Sequence, residues 1–197
     1  LGEEFVHPSY LPMGKDDEGP FGGKGGAATG RLSASGPNIQ NQPRVARRIY
    51  IPSDPRMKFV AFDQSQAELR DAAARSGDTA LTEALRHDVH AYTMSVLGCD
   101  RTRAKNVIYG SAYGAGPKKL REVLLKEGVG VTEAECRDMQ QALAHTYPVW
   151  WAWRWDVANQ AAEQGHLRNA FGRVRRFPMR GQDTPAALDY LPQSDIA

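Results

Sequence analysis

Residues 101–114 read RTRAKNVIYGSAYG, and this segment carries the clearest chemical pattern in the 197-residue chain. Its cations and aromatic rings recur at every fourth position, at Arg101, Lys105, Tyr109 and Tyr113. Four residues of α-helix turn through about 400°, so these side chains drift by only about 40° per step and line one face over about 18 Å. Two cations followed by two rings suit a nucleoside triphosphate, with Tyr109 against the sugar and base. The alternative is a solvated basic helix whose tyrosines lie in the core.

Helical patterns flank this segment on both sides. The sequence predicts helices over 67–75, 79–86, 88–97, 100–113, 117–127, 132–145 and 148–164. Two of them begin with a capping-box pattern, Ser65 with Glu68 and Thr132 with Glu135. Four tryptophans lie between positions 150 and 155 and would cover most of a helix circumference. We therefore expect part of this aromatic surface to pack in the core rather than to stack on bases.

The best strand candidate is the apolar run Met57–Phe62, which ends at Asp63 and leads directly into the first predicted helix. A carboxylate fixed between a strand and a helix is placed as metal-dependent phosphoryl transfer requires. The alternative role for Asp63 is a helix cap or a turn residue. Residues 15–30 are rich in charge and then in glycine, which predicts an exposed, flexible connection and does not match a Walker loop.

Composition is typical of a globular protein, with 25 basic and 23 acidic residues and 41% hydrophobic residues. The sequence predicts no transmembrane helix, no signal peptide and two reduced cysteines, and so a cytoplasmic protein without a membrane partner.

Basic residues cluster over 44–58, 101–121 and 166–180, and the last two ranges contain no acid. This favours a positive surface for a polyanion. The alternative is a set of solvated faces balanced by acids elsewhere.

Six segments in this order resemble family A DNA polymerases, the bacterial DNA polymerase I family. They are TGRLSASGPNIQNQP (29–43), the motif A-like FDQSQAELR (62–70), DVH (88–90), the motif B-like residues 101–114, FGRVRRFP (171–178) and LPQS (191–194). The resemblance implies an α+β fold that is part of a right-hand polymerase, with a piece of the palm sheet and mostly helical fingers. It places residues 1–70 in the palm, 71–185 in the fingers and 186–197 at the start of a returning palm helix.

The resemblance also implies template-directed nucleotidyl transfer from a dNTP to a primer 3′-hydroxyl, in replication or repair, with two Mg²⁺ ions. Asp63 and the Gln64 carbonyl would be metal ligands, and Asp63 and Lys105 would be catalytic. The dNTP contacts implied are Gln66, Glu68, His90, Arg101, Lys105 and Tyr109, with Glu68 as the steric gate against a ribose 2′-hydroxyl. The primer–template DNA contacts implied are Arg31, Asn38, Gln40, Asn41, Tyr113 and Gln193.

Four departures from the family pattern matter. Gln64 replaces the usual tyrosine, with a mild effect expected because its backbone is the implied ligand. Ala67 replaces a larger aliphatic residue. Tyr109 stands where many members have phenylalanine, and a tyrosine at this position goes, in the family, with easier acceptance of dideoxynucleotides.

The fourth departure is that the His-Asp-Glu hairpin of motif C has no counterpart, since His87-Asp88 lies too early in the sequence. We therefore expect little or no polymerisation by this chain without a second chain or a further C-terminal segment. The alternative is a non-catalytic primer–template-binding piece or a split subunit.

Overall fold

The computed structural model describes residues 5–11, 27–178 and 184–197. Contacts divide the chain into two compact units, Leu1–Ser65 with Ala197, and Gln66–Ile196. The fold is α+β, with small antiparallel sheets and a predominance of helix. Most of the glycine-rich connection expected over 15–30 lies outside the described residues.

The first unit contains a small sheet and little other regular structure. Strand β1 (Ser9–Leu11) pairs antiparallel with β2 (Ser33–Ser35), and a 3₁₀ turn covers Ala46–Ile49. The strand expected over Met57–Phe62 does not form, so that prediction is wrong. A strand needs a neighbour to complete its hydrogen-bond ladder. No described segment pairs with this run, and the Phe62 side chain is 94% exposed.

The second unit is mainly helical. Its helices are α1 (Ala67–Ser76), α2 (Thr79–Arg86), α3 (Val89–Leu97), α4 (Arg101–Ala112), α5 (Pro117–Lys126), α6 (Glu133–Thr146), α7 (Pro148–Gln164) and α8 (Thr184–Asp195). The first seven confirm the predicted helices to within a single residue at each end. Regular apolar spacing and clear punctuation by Gly, Asp and Pro explain this agreement.

Side-chain caps fix several of these helix starts. Asp78 and Asp100 accept backbone N–H bonds as N-caps of α2 and α4, and Thr132 forms the predicted capping box with Glu135. The cap expected at Ser65 is wrong, because the N-cap of α1 is Gln66. Gln66 has a left-handed backbone (φ 57°) and makes no side-chain cap bond, while the helix starts at Ala67 as predicted.

Asp78 has a second role in the core. Its side chain is 1% exposed and also accepts a hydrogen bond of 2.9 Å from the backbone N–H of Trp150, so it ties α2 to α7. Trp150 is fully buried whereas Trp155 is 60% exposed, which confirms that part of the tryptophan cluster packs in the core. Full burial of large apolar side chains contributes about 1.5–3 kcal/mol each.

A short hairpin follows α7. Strand β3 (His166–Arg168) pairs antiparallel with β4 (Val174–Arg176). The Asn169 side chain accepts backbone bonds from Phe171 and Arg173 across the turn. Its amide nitrogen donates to the Ser194 carbonyl, and the Tyr190 hydroxyl donates to the Arg173 carbonyl. The hairpin is therefore anchored on α8.

Candidate functional site

Three aromatic rings form a ladder beside α4. The His90 and Tyr109 ring centroids are 5.7 Å apart, and those of Tyr109 and Tyr113 are 6.1 Å apart with the ring planes inclined by 29°. On the opposite face of α4, Ala104, Val107 and Ile108 are fully buried. The core therefore fixes the rotation of α4, and the ring ladder lies at the edge of the core, where Tyr109 is partly buried against it.

The ladder ends on a carboxylate of the first helix. Tyr113 follows the last residue of α4, and its hydroxyl donates a hydrogen bond to Glu68 in the first turn of α1. Burial, and then this bond, raise the pKa of the Tyr113 phenol, so the hydroxyl stays protonated at neutral pH. Burial also raises the pKa of Tyr109.

The two cations of α4 have different surroundings. Arg101 is held by Asp88, with 2.7 Å between Nη1 and Oδ2. The same carboxylate caps α3 by accepting the His90 and Ala91 backbone N–H groups. The hydrogen bond from Arg101 lowers the pKa of Asp88. Lys105 is exposed and has no ion-pair partner in the part of the chain that the structure describes.

Acidic neighbours balance the positive charge of two further residues in the basic range 101–121. Arg103 lies 3.3 Å from Asp100 and Lys119 lies 3.1 Å from Glu122. The interpretation as a balanced, solvated face is therefore confirmed for these cations, and the positive surface for a polyanion stays a prediction. Several cations have acidic neighbours, while Lys105 remains available to a ligand.

His90 is enclosed and electrically neutral. It is 9% exposed, and its Nδ1 is buried without a hydrogen-bond partner among the described residues. Burial, and then the positive charge of Arg101, lower the pKa of His90 from its usual value near 6.5. A neutral imidazole can donate one hydrogen bond and accept another.

The remaining candidates of the second unit lie on α1 and α8. Gln66 precedes α1, and its buried Oε1 has no hydrogen-bond partner within the described ranges. Gln193 lies in α8, where its Nε2 donates to Asp189 one turn earlier. The unsatisfied Gln66 acceptor is a position that a ligand donor could fill.

The loop candidates of the first unit hold one another in place. The Gln40 side chain accepts from Ala34 N and donates to the Leu32 carbonyl, which braces β2. The Asn38 side chain accepts from the backbone N–H groups of Gln40 and Asn41. Arg31 and Asn41 are exposed on this braced loop.

Asp63 and Gln64, the metal-ligand candidates, lie in the irregular segment after Met57 and are exposed. The described residues include no group of three or more His, Cys, Asp or Glu side chains that could hold a metal ion. Mg²⁺ keeps waters and substrate phosphates among its oxygen ligands and takes few from the protein, so the Asp63 carboxylate and the Gln64 carbonyl are of the chemical type that it prefers.

Sequence reasoning missed Asp88 as the partner of Arg101. Its position as a helix N-cap is visible in the sequence, but its pairing depends on how α3 and α4 pack. None of the described helices is long and apolar enough to cross a bilayer.

The chain is similar to DNA polymerases over most of its length. The sequence profile of DNA polymerase family A matches residues 4–188. The DNA polymerase of Mycobacterium phage L5 is 31% identical over 85% of this chain and 28% of its own length. DNA polymerase I of Pseudomonas aeruginosa is 34% identical over 77% of this chain and 18% of its own length. The chain thus spans less than a third of these relatives.

A solved structure agrees with the sequence comparisons. The POL domain of Pol1 from M. smegmatis, in complex with DNA primer-template and dNTP, matches with a TM-score of 0.69 and 28% identity. The match covers 86% of this chain and 33% of that one. With a profile match over nearly the whole sequence and a shared fold, this chain belongs to DNA polymerase family A.

Proposed function

We propose that this chain is part of the core of a template-directed DNA polymerase, which transfers a nucleotide from a dNTP to a primer 3′-hydroxyl. The observation that carries the proposal is the ring ladder from His90 to Tyr113, which continues the line of cations on α4 and ends on Glu68. The solved relative named above was in complex with primer-template and dNTP, which supports the same ligands for this chain.

The triphosphate would lie along the first turns of α4. Lys105 would neutralise charge that develops on the leaving pyrophosphate, and this is its catalytic role. Arg101 would bind phosphate oxygens after leaving Asp88. His90 would add a hydrogen bond without adding charge, because its lowered pKa keeps the imidazole neutral.

The sugar and base would lie on the rings. Tyr109 offers a flat face beside the cations, and Tyr113 would lie by the template base. Glu68, held by Tyr113, would exclude a ribose 2′-hydroxyl by its bulk and charge. The buried Gln66 Oε1 would accept a hydrogen bond from the nucleotide. For an active form we propose easy acceptance of dideoxynucleotides, which Tyr109→Phe should reduce.

The primer–template would contact the braced loop of the first unit and α8. Arg31 and Asn41 are exposed and suit contacts to phosphate and to minor-groove acceptors. Asn38 and Gln40 already bond within the loop, so we propose that they contribute chiefly by holding its shape. Gln193 would meet the duplex from α8. Its bond to Asp189 would orient the amide.

Asp63, with the Gln64 carbonyl, would contribute ligands to a centre of two Mg²⁺ ions, and a further segment or a second chain would supply the remaining carboxylate. We propose that the reaction takes place in the cytoplasm of a bacterial or phage-infected cell, in replication or repair. The domain boundaries proposed are palm over 1–70, fingers over 71–185 and a returning palm helix from 186.

The test is dNTP binding to the chain in the presence of primer–template. Lys105→Ala should weaken dNTP binding about tenfold or more, because it removes a charged hydrogen bond. Lys126→Ala, an equally exposed lysine in α5, is the matched control and should leave binding unchanged. Equal effects of both variants would contradict the assignment.

A non-catalytic primer–template-binding piece is the alternative, favoured by the lack of a cluster of three or more possible metal ligands among the described residues. It predicts salt-sensitive DNA binding without turnover. Primer extension by a polymerase that contains this chain separates the two. Asp63→Ala should abolish incorporation there, and retained incorporation would exclude Asp63 from the active site.

A further inference from the structure

The second unit also contains a cleft whose lining includes none of the three rings of the ladder. It has a volume of about 210 Å³ and lies where the turn between α4 and α5 meets α7 and the start of α8. Its walls include Gly116, Trp151, Arg154, Trp155 and Thr184. We call it the Arg154 cleft, and none of the residues assigned to the nucleotide or the metals lines it.

Arg154 is the unusual feature of this cleft. The residue is 8% exposed, and its Nε is buried without a hydrogen-bond partner in the described part of the chain. Its guanidinium carbon lies 4.3 Å from the Trp151 ring centroid and 5.6 Å from that of Trp150. Buried arginines are normally paired with an acid. Here the described residues provide two aromatic faces and no carboxylate.

The charge of Arg154 persists at neutral pH. Burial lowers the pKa of its guanidinium to about 10, which still leaves it protonated. An unpaired buried charge costs free energy, and a bound anion would recover that cost.

The N-terminus of α5 adds positive potential at the same place. Helix α5 begins at Pro117, after Gly116, and has no side-chain cap. Its first-turn N–H groups therefore lack the usual side-chain acceptor. Helix N-termini favour anions because of the unsatisfied N–H groups and the helix dipole.

The other walls suit a phosphate that carries an organic group. Among the described residues, the lining contains no Asp or Glu that would repel an anion. Trp155 is 60% exposed beside the guanidinium and offers a flat apolar face. Gln140 fixes the turn between α4 and α5, because its Nε2 donates to the Ala115 carbonyl at 2.7 Å.

We propose that the Arg154 cleft binds a phosphate group, carried by free phosphate or by a single nucleic-acid strand. Arg154 donates to the phosphate oxygens, the N-terminus of α5 faces the same charge, and Trp155 packs against whatever the phosphate carries. The site goes beyond the proposed polymerase function and depends on none of its residues.

The experiment is calorimetric titration of the whole chain in chloride buffer with inorganic phosphate and, separately, with the oligonucleotide (dT)₈. Arg154→Leu should lose about tenfold or more of the affinity, because charged hydrogen bonds to the anion are removed. Its melting temperature without phosphate should not fall, since the substitution removes an unpaired buried charge. Arg121→Gln, an exposed arginine of α5, is the control for one lost positive charge and should bind as the parent does.

Competition identifies the source of the phosphate. Displacement of inorganic phosphate by (dT)₈ would assign the cleft to a strand, and phosphate binding without competition would assign it to the free anion. Arg154→Lys, which keeps the charge without the planar fork, should retain part of the affinity and serves if the leucine variant fails to fold. Absence of phosphate binding by the parent chain, or equal loss in Arg154→Leu and Arg121→Gln, would overturn the proposal.

Discussion

The hydroxyl of Tyr113 donates a hydrogen bond to the carboxylate of Glu68, so the residue that directly follows α4 is joined to the first turn of α1. The two residues are 45 positions apart in the chain. The ring at the end of the ladder and the proposed steric gate are therefore coupled, and a change in one should alter the other.

Removing the Tyr113 hydroxyl tests this coupling. Tyr113→Phe keeps the ring and should lower the free energy of unfolding by about 1 kcal/mol, because a hydrogen bond to a charged group is lost at a partly exposed site. Urea denaturation measures the change. Tyr92→Phe is the control, since the Tyr92 hydroxyl has no hydrogen bond to any described residue. A Tyr113→Phe variant as stable as the parent would show that the bond contributes nothing to folding.

Gly114 joins α4 to α8 by close approach. It has φ +76°, and a Cβ there would lie 3.0 Å from Leu188 Cδ1 and 3.1 Å from Pro185 Cα. Gly114→Ala should therefore cost about 2 kcal/mol or more, from left-handed strain together with overpacking. Gly98→Ala has a similar φ of +59° but open space around the new Cβ, and should cost only about 1 kcal/mol. Thermal melts compare the two, and equal costs would show that the contact with α8 does not matter.

The ion pair between Asp88 and Arg101 would compete with the proposed triphosphate for the guanidinium. Asp88→Asn keeps a side-chain cap on α3 because asparagine is also a good N-cap. It should strengthen triphosphate binding roughly two- to fivefold, as expected when an exposed ion pair no longer has to break. Equilibrium titration measures this. Glu83→Gln, which breaks another exposed ion pair, with Arg86, should have no effect on binding. Weaker binding in Asp88→Asn would show that Asp88 orients Arg101 for the nucleotide instead.

Asp71 should make stability depend on pH. Burial, with the Asp195 carboxylate nearby, raises the pKa of Asp71 to about 6, although Arg75 opposes the shift. Between about pH 4 and 6 the folded chain holds a proton that the unfolded chain releases, so the free energy of unfolding should fall as pH rises through this window. Asp71→Asn should flatten the profile there. Urea denaturation from pH 4 to 7 measures it. Asp54→Asn should keep the slope of the parent, and a parental slope in Asp71→Asn would contradict the assignment.

Local rules predicted most of the helical unit. An apolar spacing of 3.6 residues and caps such as Thr132 with Glu135 depend only on neighbours in sequence. The sequence therefore predicts where these helices begin and end. The run Met57–Phe62 failed for the opposite reason. Its pattern favours a strand, but strand pairing depends on a distant partner, and no described segment supplies one.

The candidate site likewise has one part that the sequence predicts and another that depends on packing between helices. The line of Arg101, Lys105, Tyr109 and Tyr113 follows from helix geometry, and the sequence located it. The bond from Tyr113 to Glu68 and the pairing of Arg101 with Asp88 depend on how separate helices pack, which spacing does not encode. The sequence did not indicate a role for Arg154, because it lies within a run of tryptophans whose pattern predicts a buried helix.

The buried Asp78 side chain sets when the second unit can finish folding during its synthesis. One of its oxygens caps α2 locally, but among the described residues the other accepts its hydrogen bond from the backbone N–H of Trp150, 72 residues later. At about 5–20 residues per second, a ribosome needs roughly 4–15 s to deliver that partner. Until then the carboxylate must stay hydrated, and the space that α7 will fill must stay open to water. The nascent unit can therefore assemble its first helices early, but it closes only when α7 has emerged.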